Sequence, residues 1–203
     1  CDALQSENYH GASQVVILSA SSKTAIGLAQ GLADAKDSPT VVGVTSKTNY
    51  DFVASLGCYD EIICYDQLGN IDGSKPTVMV DMSGNRSVLG TLHEALGDNL
   101  LNCISVGMTH WETLNDNDPM AAKINRQRSS FFFAPSHVQK RVGDWGQDGF
   151  NQQASAFTQA RMEQSADWMT VETVPNFGAF AEVYADVVVG KMNPNEGLIV
   201  LPK

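Results

Sequence analysis

Short runs of apolar and β-branched residues alternate along this chain with stretches whose apolar positions return every third or fourth residue. The runs fall at 15–19, 40–45, 61–65, 77–81 and 101–106 and predict five strands. Within them apolar residues follow one another without polar alternation, the pattern of strands covered on both faces and hence of a parallel sheet. Between them, 24–35 places Ile26, Leu28, Ala29 and Leu32 toward one side, and 86–96 places Val88, Leu89, Leu92 and Leu96 at helical spacing. A further helix is predicted over 49–56, with Gly57 positioned to end it. Strands alternating with helices signal right-handed βαβ units. The fold class is therefore α/β, an open, doubly wound, mainly parallel sheet.

Beyond residue 106 the pattern changes. QRSSFFFAPSHVQKR carries an aromatic, strand-like run broken by Pro135. A polar-faced helix is predicted over 150–166, another near 177–189, a turn at Asn193-Pro194-Asn195 and a last strand over 198–201. No linker rich in Pro, Gly or Ser divides the chain, so 1–203 is read as a single domain.

Composition narrows the function. With 203 residues, 43% of them hydrophobic and 18% charged, the chain can bury a substantial core. A net charge of −10 argues against nucleic acid and anionic membranes as partners, because both demand clustered Lys and Arg. No apolar run approaches the roughly 20 residues of a membrane span. Cys1, Cys58, Cys64 and Cys103 show no CxxC pair and no zinc-finger spacing, so they are read as reduced and buried in a cytoplasmic protein without a metal site. Cys1 opens two readings, a mature lipoprotein or a chain whose upstream sequence has been cut away. CDALQSENYHGA leads into a strand with no tether, which favours the second.

The loop after the first strand, SASSKTAIG, carries the candidate chemistry. Against the dinucleotide fingerprint G-x-G-x-x-G, Ser22, Thr24 and Gly27 fall on the three glycine positions, and the third glycine, which lets helix and strand pack closely, is kept. Serine and threonine hydroxyls can donate to phosphate. The helix beginning near Thr24 aims backbone N–H groups and a partial positive charge at the same place, and Lys23 adds a full charge. The competing reading is a Ser or Thr N-cap on an ordinary turn. A P-loop is excluded because Ile17 stands where it needs glycine.

The end of the second strand, GVTSKTNY, weighs toward a dinucleotide. A site preferring a ribose 2′-hydroxyl usually has an acid there, whereas this chain has Thr45, Ser46 and Lys47 and no acid before Asp51. Hydroxyls and an ammonium suit a 2′-phosphate, so the expected cofactor is NADP rather than NAD. Lys47 considered alone reads better as a solvated loop lysine; it is the two phosphate-compatible loops at successive strand ends that support the cofactor reading.

VVILSASSKTAIGLA, VVGVTSKTNYDFVASLGCYDEIICY, TVMVDMSGN, ISVGMTH, FFFAPS and GLIVLP together resemble the cofactor-binding domain of the medium-chain dehydrogenase/reductase superfamily, in its zinc-independent quinone-reductase-like branch. Within that branch, the SSKTA-type loop, LGCYD and DWG resemble a little-characterised bacterial family. The resemblance implies a Rossmann fold. It also implies that Ser21, Ser22, Lys23, Thr24 and Ala25 face the pyrophosphate, that Thr45, Ser46 and Lys47 hold the 2′-phosphate, and that Tyr65 lies beside the adenosine. Family members often place the lysine later, where this chain has Asn49 and Tyr50. Asp81-Met82-Ser83-Gly84 resembles the D-x-x-G turn after the fourth strand; the other reading of Asp81 is a cap for the next helix. Gly107, Met108 and Thr109 resemble the loop that passes the nicotinamide, and Phe133 belongs to a run that positions its carboxamide. His110, followed by Trp111, reads as packing rather than as a general acid, and no catalytic residue is assigned.

The superfamily's catalytic domain mostly precedes its cofactor domain and has no counterpart here, so the expectation is a fragment. The function that the resemblance implies is that of the NADP(H)-binding domain of a zinc-independent oxidoreductase, passing hydride to a quinone or an activated C=C or C=O small-molecule substrate. Related proteins often form homodimers through a cofactor-domain edge. The alternatives are a nucleotide-binding or sensor module without chemistry, and an interaction domain without nucleotide. A serine hydrolase is disfavoured, since no G-x-S-x-G elbow follows any strand.

Overall fold

The computed structural model describes residues 1–106 and 119–201. A short helix, α1 (Asp2–Ser6), precedes β1 (Gln14–Leu18), α2 (Lys23–Ala33), β2 (Thr40–Thr45), α3 (Tyr50–Ser55), β3 (Glu61–Cys64), β4 (Thr77–Asp81), α4 (Arg86–Leu96), β5 (Leu100–Ser105) and β6 (Ser129–Phe131). The six strands form one sheet in the order β3-β2-β1-β4-β5-β6. All five pairings are parallel. This is the Rossmann order, in which the chain leaves β1 in one direction and returns at β4 in the other. The crevice at that switch opens at the carboxyl ends of the strands.

β1 is buried along its whole length, and the two faces of the sheet feed two separate cores. Val15 and Ile17 pack with Ala25, Ala29 and Leu32 of α2 on one side. Val16 and Leu18 pack with Leu89, Leu92 and Leu96 of α4 on the other. The alternation within a run of apolar residues is thus a division of labour between two covered faces.

Two glycines mark close approaches. A Cβ on Gly43 of β2 would lie 2.7 Å from the Tyr59 ring, which packs against that strand and donates its hydroxyl to the Ala20 carbonyl at 2.8 Å. A Cβ on Gly90 of α4 would lie 1.9 Å from the Met120 carbonyl oxygen, because residues 119–128 cross that helix as a strap. The strap is fastened by Lys123 to Glu94, by the Asn125 N–H to His93 Nδ1 at 3.3 Å, and by Arg128 to Asp98.

The chain divides into two compact units, Cys1–Ser155 and Ala156–Lys203. In the first, Asp2 receives hydrogen bonds from His137 and Arg141 of α5 (Ala134–Ser165). In the second, β7 (Thr170–Val174) and β8 (Glu196–Val200) pair in parallel around the crossover α6 (Phe177–Val188).

Several boundaries differ from the sequence reading. The helix expected over 150–166 begins at Ala134, because Pro135 falls in a first helical turn, where its missing N–H costs nothing. That helix breaks at Gly146, with φ 72° and ψ 167°. The helix expected over 49–56 starts as a 3-10 turn, Lys47–Asn49, before α3, and ends with Gly57 at φ 64° as anticipated. β7 was not anticipated, since TVETV offers only alternating apolar positions. Cys58, Cys64 and Cys103 are buried and Cys1 is half-buried; all four are thiols. No described helix is long and apolar enough to cross a membrane.

Candidate functional site

A cavity of about 470 Å³ opens at the carboxyl ends of the strands, where four successive crossovers converge. β1 runs into it through Ser19 and Ser21, β2 through Thr45, Ser46 and Asn49, β3 through Tyr65, and β4 through Asn85 and Val88 at the start of α4.

The first loop shows why glycine is dispensable at two fingerprint positions. Its left-handed residue is Ser19, at φ 62°, whereas Ser22 has φ −73° and ψ 143°, open to any L residue. Thr24 lies within α2. Ser22 is the N-cap, its hydroxyl accepting the Ala25 N–H at 3.3 Å. The Ala25 amide, expected to face a phosphate, therefore already has a partner. Gly27 also departs from expectation. A Cβ there would meet nothing within 4 Å, so this glycine is not what brings helix and strand together.

Three cross-loop hydrogen bonds hold the mouth. The Ser19 N–H donates to the Tyr65 hydroxyl at 3.0 Å, Tyr59 donates to the Ala20 carbonyl, and the Asn49 amide donates to the Ser21 hydroxyl at 3.0 Å. Burial raises the Tyr65 phenol above its ordinary range, the Ser19 N–H opposes that shift and Asp81 adds to it, so at neutral pH the ring carries its proton.

Thr45 ends β2 at 1% exposure, and its buried hydroxyl has no hydrogen-bond partner among the described residues. Buried hydroxyls are rarely left so, and this one belongs to the cavity wall. Ser46 accepts the Asn49 N–H at 3.3 Å and turns the chain into α3.

Of the residues singled out from sequence, Ser21, Thr45, Ser46 and Tyr65 are brought together in the wall. Ser22 and Ala25 form the adjoining helix start, while Lys23, Thr24 and Lys47 are exposed beside it. Phe133 is 57% exposed just after β6, and its carbonyl accepts the Ser136 N–H at the start of α5. Gly107, Met108, Thr109, His110 and Trp111 lie outside the described residues. Sequence reasoning missed Ser19, Asn49, Asn85 and Val88 as wall residues. The positions of Asn49 just past a strand end and of Asn85 just before a helix were the available signals.

Asp81 is neither exposed to the cavity nor the cap of α4. It is buried at 1% exposure and accepts the Ser83 N–H and hydroxyl, each at 2.8 Å, and the Gly84 N–H at 3.0 Å. It shapes the turn, and Asn85 does the capping. Nearby, burial and then the Asp81 charge push the Cys103 thiol up to about 12, which leaves it protonated and without nucleophilic character. Among the described residues no cluster of three or more His, Cys, Asp or Glu could hold a metal ion.

The fold has solved counterparts. CurA from Vibrio vulnificus in complex with NADPH superposes with a TM-score of 0.59 at 12% identity, over 94% of this chain and 57% of that one. A putative NADPH:quinone reductase from Mesorhizobium loti gives 0.56 at 15% identity, over 99% and 56%. A putative zinc-dependent alcohol dehydrogenase from Rhizobium etli gives 0.57 at 11%, over 95% and 56%. The chain thus spans little more than half the length of each, and at such identities the likeness establishes the fold alone. No curated protein matches the chain by sequence. One sequence family, described as a protein of unknown function (DUF2855), matches residues 2–193, and the chain belongs to that family.

Proposed function

We propose that this chain is the NADP(H)-binding domain of an oxidoreductase of the medium-chain dehydrogenase/reductase type, in the zinc-independent, quinone-reductase-like branch. The observation that carries the reading is the Thr45 hydroxyl, buried without a partner among the described residues in the wall of a cavity beside the amino end of α2. A cavity of about 470 Å³ lined by hydroxyls, amides, one aromatic ring and Val88 suits an adenosine, which needs flat apolar contact and a few placed polar groups. Ser21, Thr45, Ser46 and Asn49 would hold its ribose edge, and the amino end of α2 with Lys23 would face the phosphates. Among the described residues no carboxylate lines the cavity, and Lys47 is exposed at its β2 side, which favours a 2′-phosphate over a bare hydroxyl.

With NADPH bound, its dihydronicotinamide would supply hydride to a quinone or an activated C=C or C=O compound. Such transfer requires a substrate held in an oriented, closed site. The match covers 57% and 56% of two solved structures with this fold, which supports reading the chain as one part of a larger enzyme.

The test is thermal unfolding with NADPH and with NADH. Binding stabilises the native state by an amount set by affinity, so the melting temperature rises more with NADPH. No shift with millimolar amounts of either dinucleotide refutes the proposal.

A second reading, a nucleotide-binding or sensor module without chemistry, draws on a separate observation. Among the described residues Tyr65 is the one titratable side chain lining the cavity, and burial keeps its proton in place. Turnover by the full-length protein across a panel of quinones and enals separates the two: the module binds NADPH and reduces none of them.

A further inference from the structure

The cavity has two chemically different ends. Ser21, whose hydroxyl takes the Asn49 amide, stands beside the amino end of α2. Away from it lie the Tyr65 ring and the first turn of α4, with Asn85 and Val88.

We propose that Asn85 is the residue that reads the adenine base, and that it makes the cavity selective against other purines. The inference rests on the nucleotide reading above. If the phosphates face α2 and the ribose meets Ser21 and Asn49, the base falls between Tyr65 and α4. There Val88 and the Tyr65 ring supply apolar surface for a flat heterocycle, and Asn85 is the polar group. Asn85 caps α4, its Oδ1 accepting the Val88 N–H at 3.2 Å. That bond fixes which way round the side-chain amide sits, because only the oxygen can accept. The amide nitrogen, with two protons, has no partner among the described residues, and the oxygen keeps a second lone pair. The group therefore offers a donor and an acceptor side by side. Adenine presents the complementary pair, a ring nitrogen that accepts next to an exocyclic amine that donates, and asparagine matches it with both atoms. Hypoxanthine carries a carbonyl in place of that amine and would set oxygen against oxygen. The Thr45 hydroxyl in the same wall, without a partner among the described residues, independently marks the cavity as built for a polar ligand.

The readout is a ratio of dissociation constants, for NADPH against its hypoxanthine analogue, which differs from it in the base alone. The wild-type chain is expected to prefer NADPH at least tenfold. Asn85→Ser and Asn85→Thr both retain a good N-cap for α4, so both fold. Both remove the amide without adding charge, and a hydroxyl can donate to a carbonyl as readily as it accepts from an amine. Each is expected to bring the ratio to within about twofold of one, a change that mere loosening of α4 would not produce. Equal wild-type affinity for the two dinucleotides, or full discrimination surviving in both variants, overturns the inference and leaves the nucleotide reading intact. A wild-type chain that binds neither dinucleotide overturns both.

Discussion

Replacing Gly90 by alanine pits two effects of opposite sign against each other. In an exposed helix the change stabilises by about 1 kcal/mol, since glycine is the poorer helix former. Gly90 is instead buried under the strap, and the new Cβ would lie 1.9 Å from the Met120 carbonyl oxygen and 2.5 Å from its carbon. Contacts under 3.0 Å are essentially never made by a Cβ, and here the obstacle is backbone rather than the tip of a flexible side chain. The strap must lift by about 1 Å, and overpacking of this kind costs about 1–3 kcal/mol. Lifting also strains the bond from the Asn125 N–H to His93 and the pairing of Lys123 with Glu94, adding about 1 kcal/mol for the part-buried amide. The net expectation is a loss of about 1–3 kcal/mol, a fall in melting temperature of about 3–10 °C in a chain of this size. Trypsin supplies an independent readout, because Lys123, Arg126 and Arg128 all lie in the strap. G90A should be cut there faster than wild type under native conditions. A variant that melts higher than wild type, with an unchanged cleavage pattern, would refute the reasoning and leave helix propensity as the governing term.

Asp81→Asn should destabilise by about 2–4 kcal/mol in urea titration, since it replaces an acceptor of three hydrogen bonds with a group that turns an amine on some of the same donors; a loss below about 0.5 kcal/mol would refute the role given to Asp81. For His93, burial and then the Arg128 charge hold the pKa below the ordinary 6.5, so the unfolded chain takes up the proton more readily than the folded one. Its contribution to stability is complete above about pH 6.5 and declines as pH falls below that value. His93→Gln should therefore melt with a smaller difference between pH 7.5 and pH 5 than wild type does, and an equal difference would refute the assignment.

The parallel sheet was legible because strands such as VVILS and TVVGVT bury both faces, a demand that β-branched residues meet and that leaves no polar alternation. β7 escaped because TVETV stands largely exposed and alternates, like many loops. The strap escaped for a different reason: nothing in residues 119–128 is periodic, and its anchors lie about 30 positions away, at His93, Glu94 and Asp98. At the cavity, loop chemistry identified Ser21, Thr45 and Ser46 one strand end at a time. The partnership of Asn49 with Ser21 spans two crossovers, and no local pattern announces it. Ser22 was legible in both of its readings, and the structure gives its hydroxyl to Ala25. The three consecutive left-handed residues Asn8, Tyr9 and His10 had no local signal other than the glycine after them, yet they let Tyr9 reach the core.

The bonds from Ser19 to Tyr65, from Tyr59 to Ala20 and from Asn49 to Ser21 tie β1's loop to its neighbours through the chain's own groups. A guest arriving at such a preset mouth forfeits little entropy in ordering it. Its association would then run as a single fast encounter, with residence time rather than capture distinguishing a good fit from a poor one.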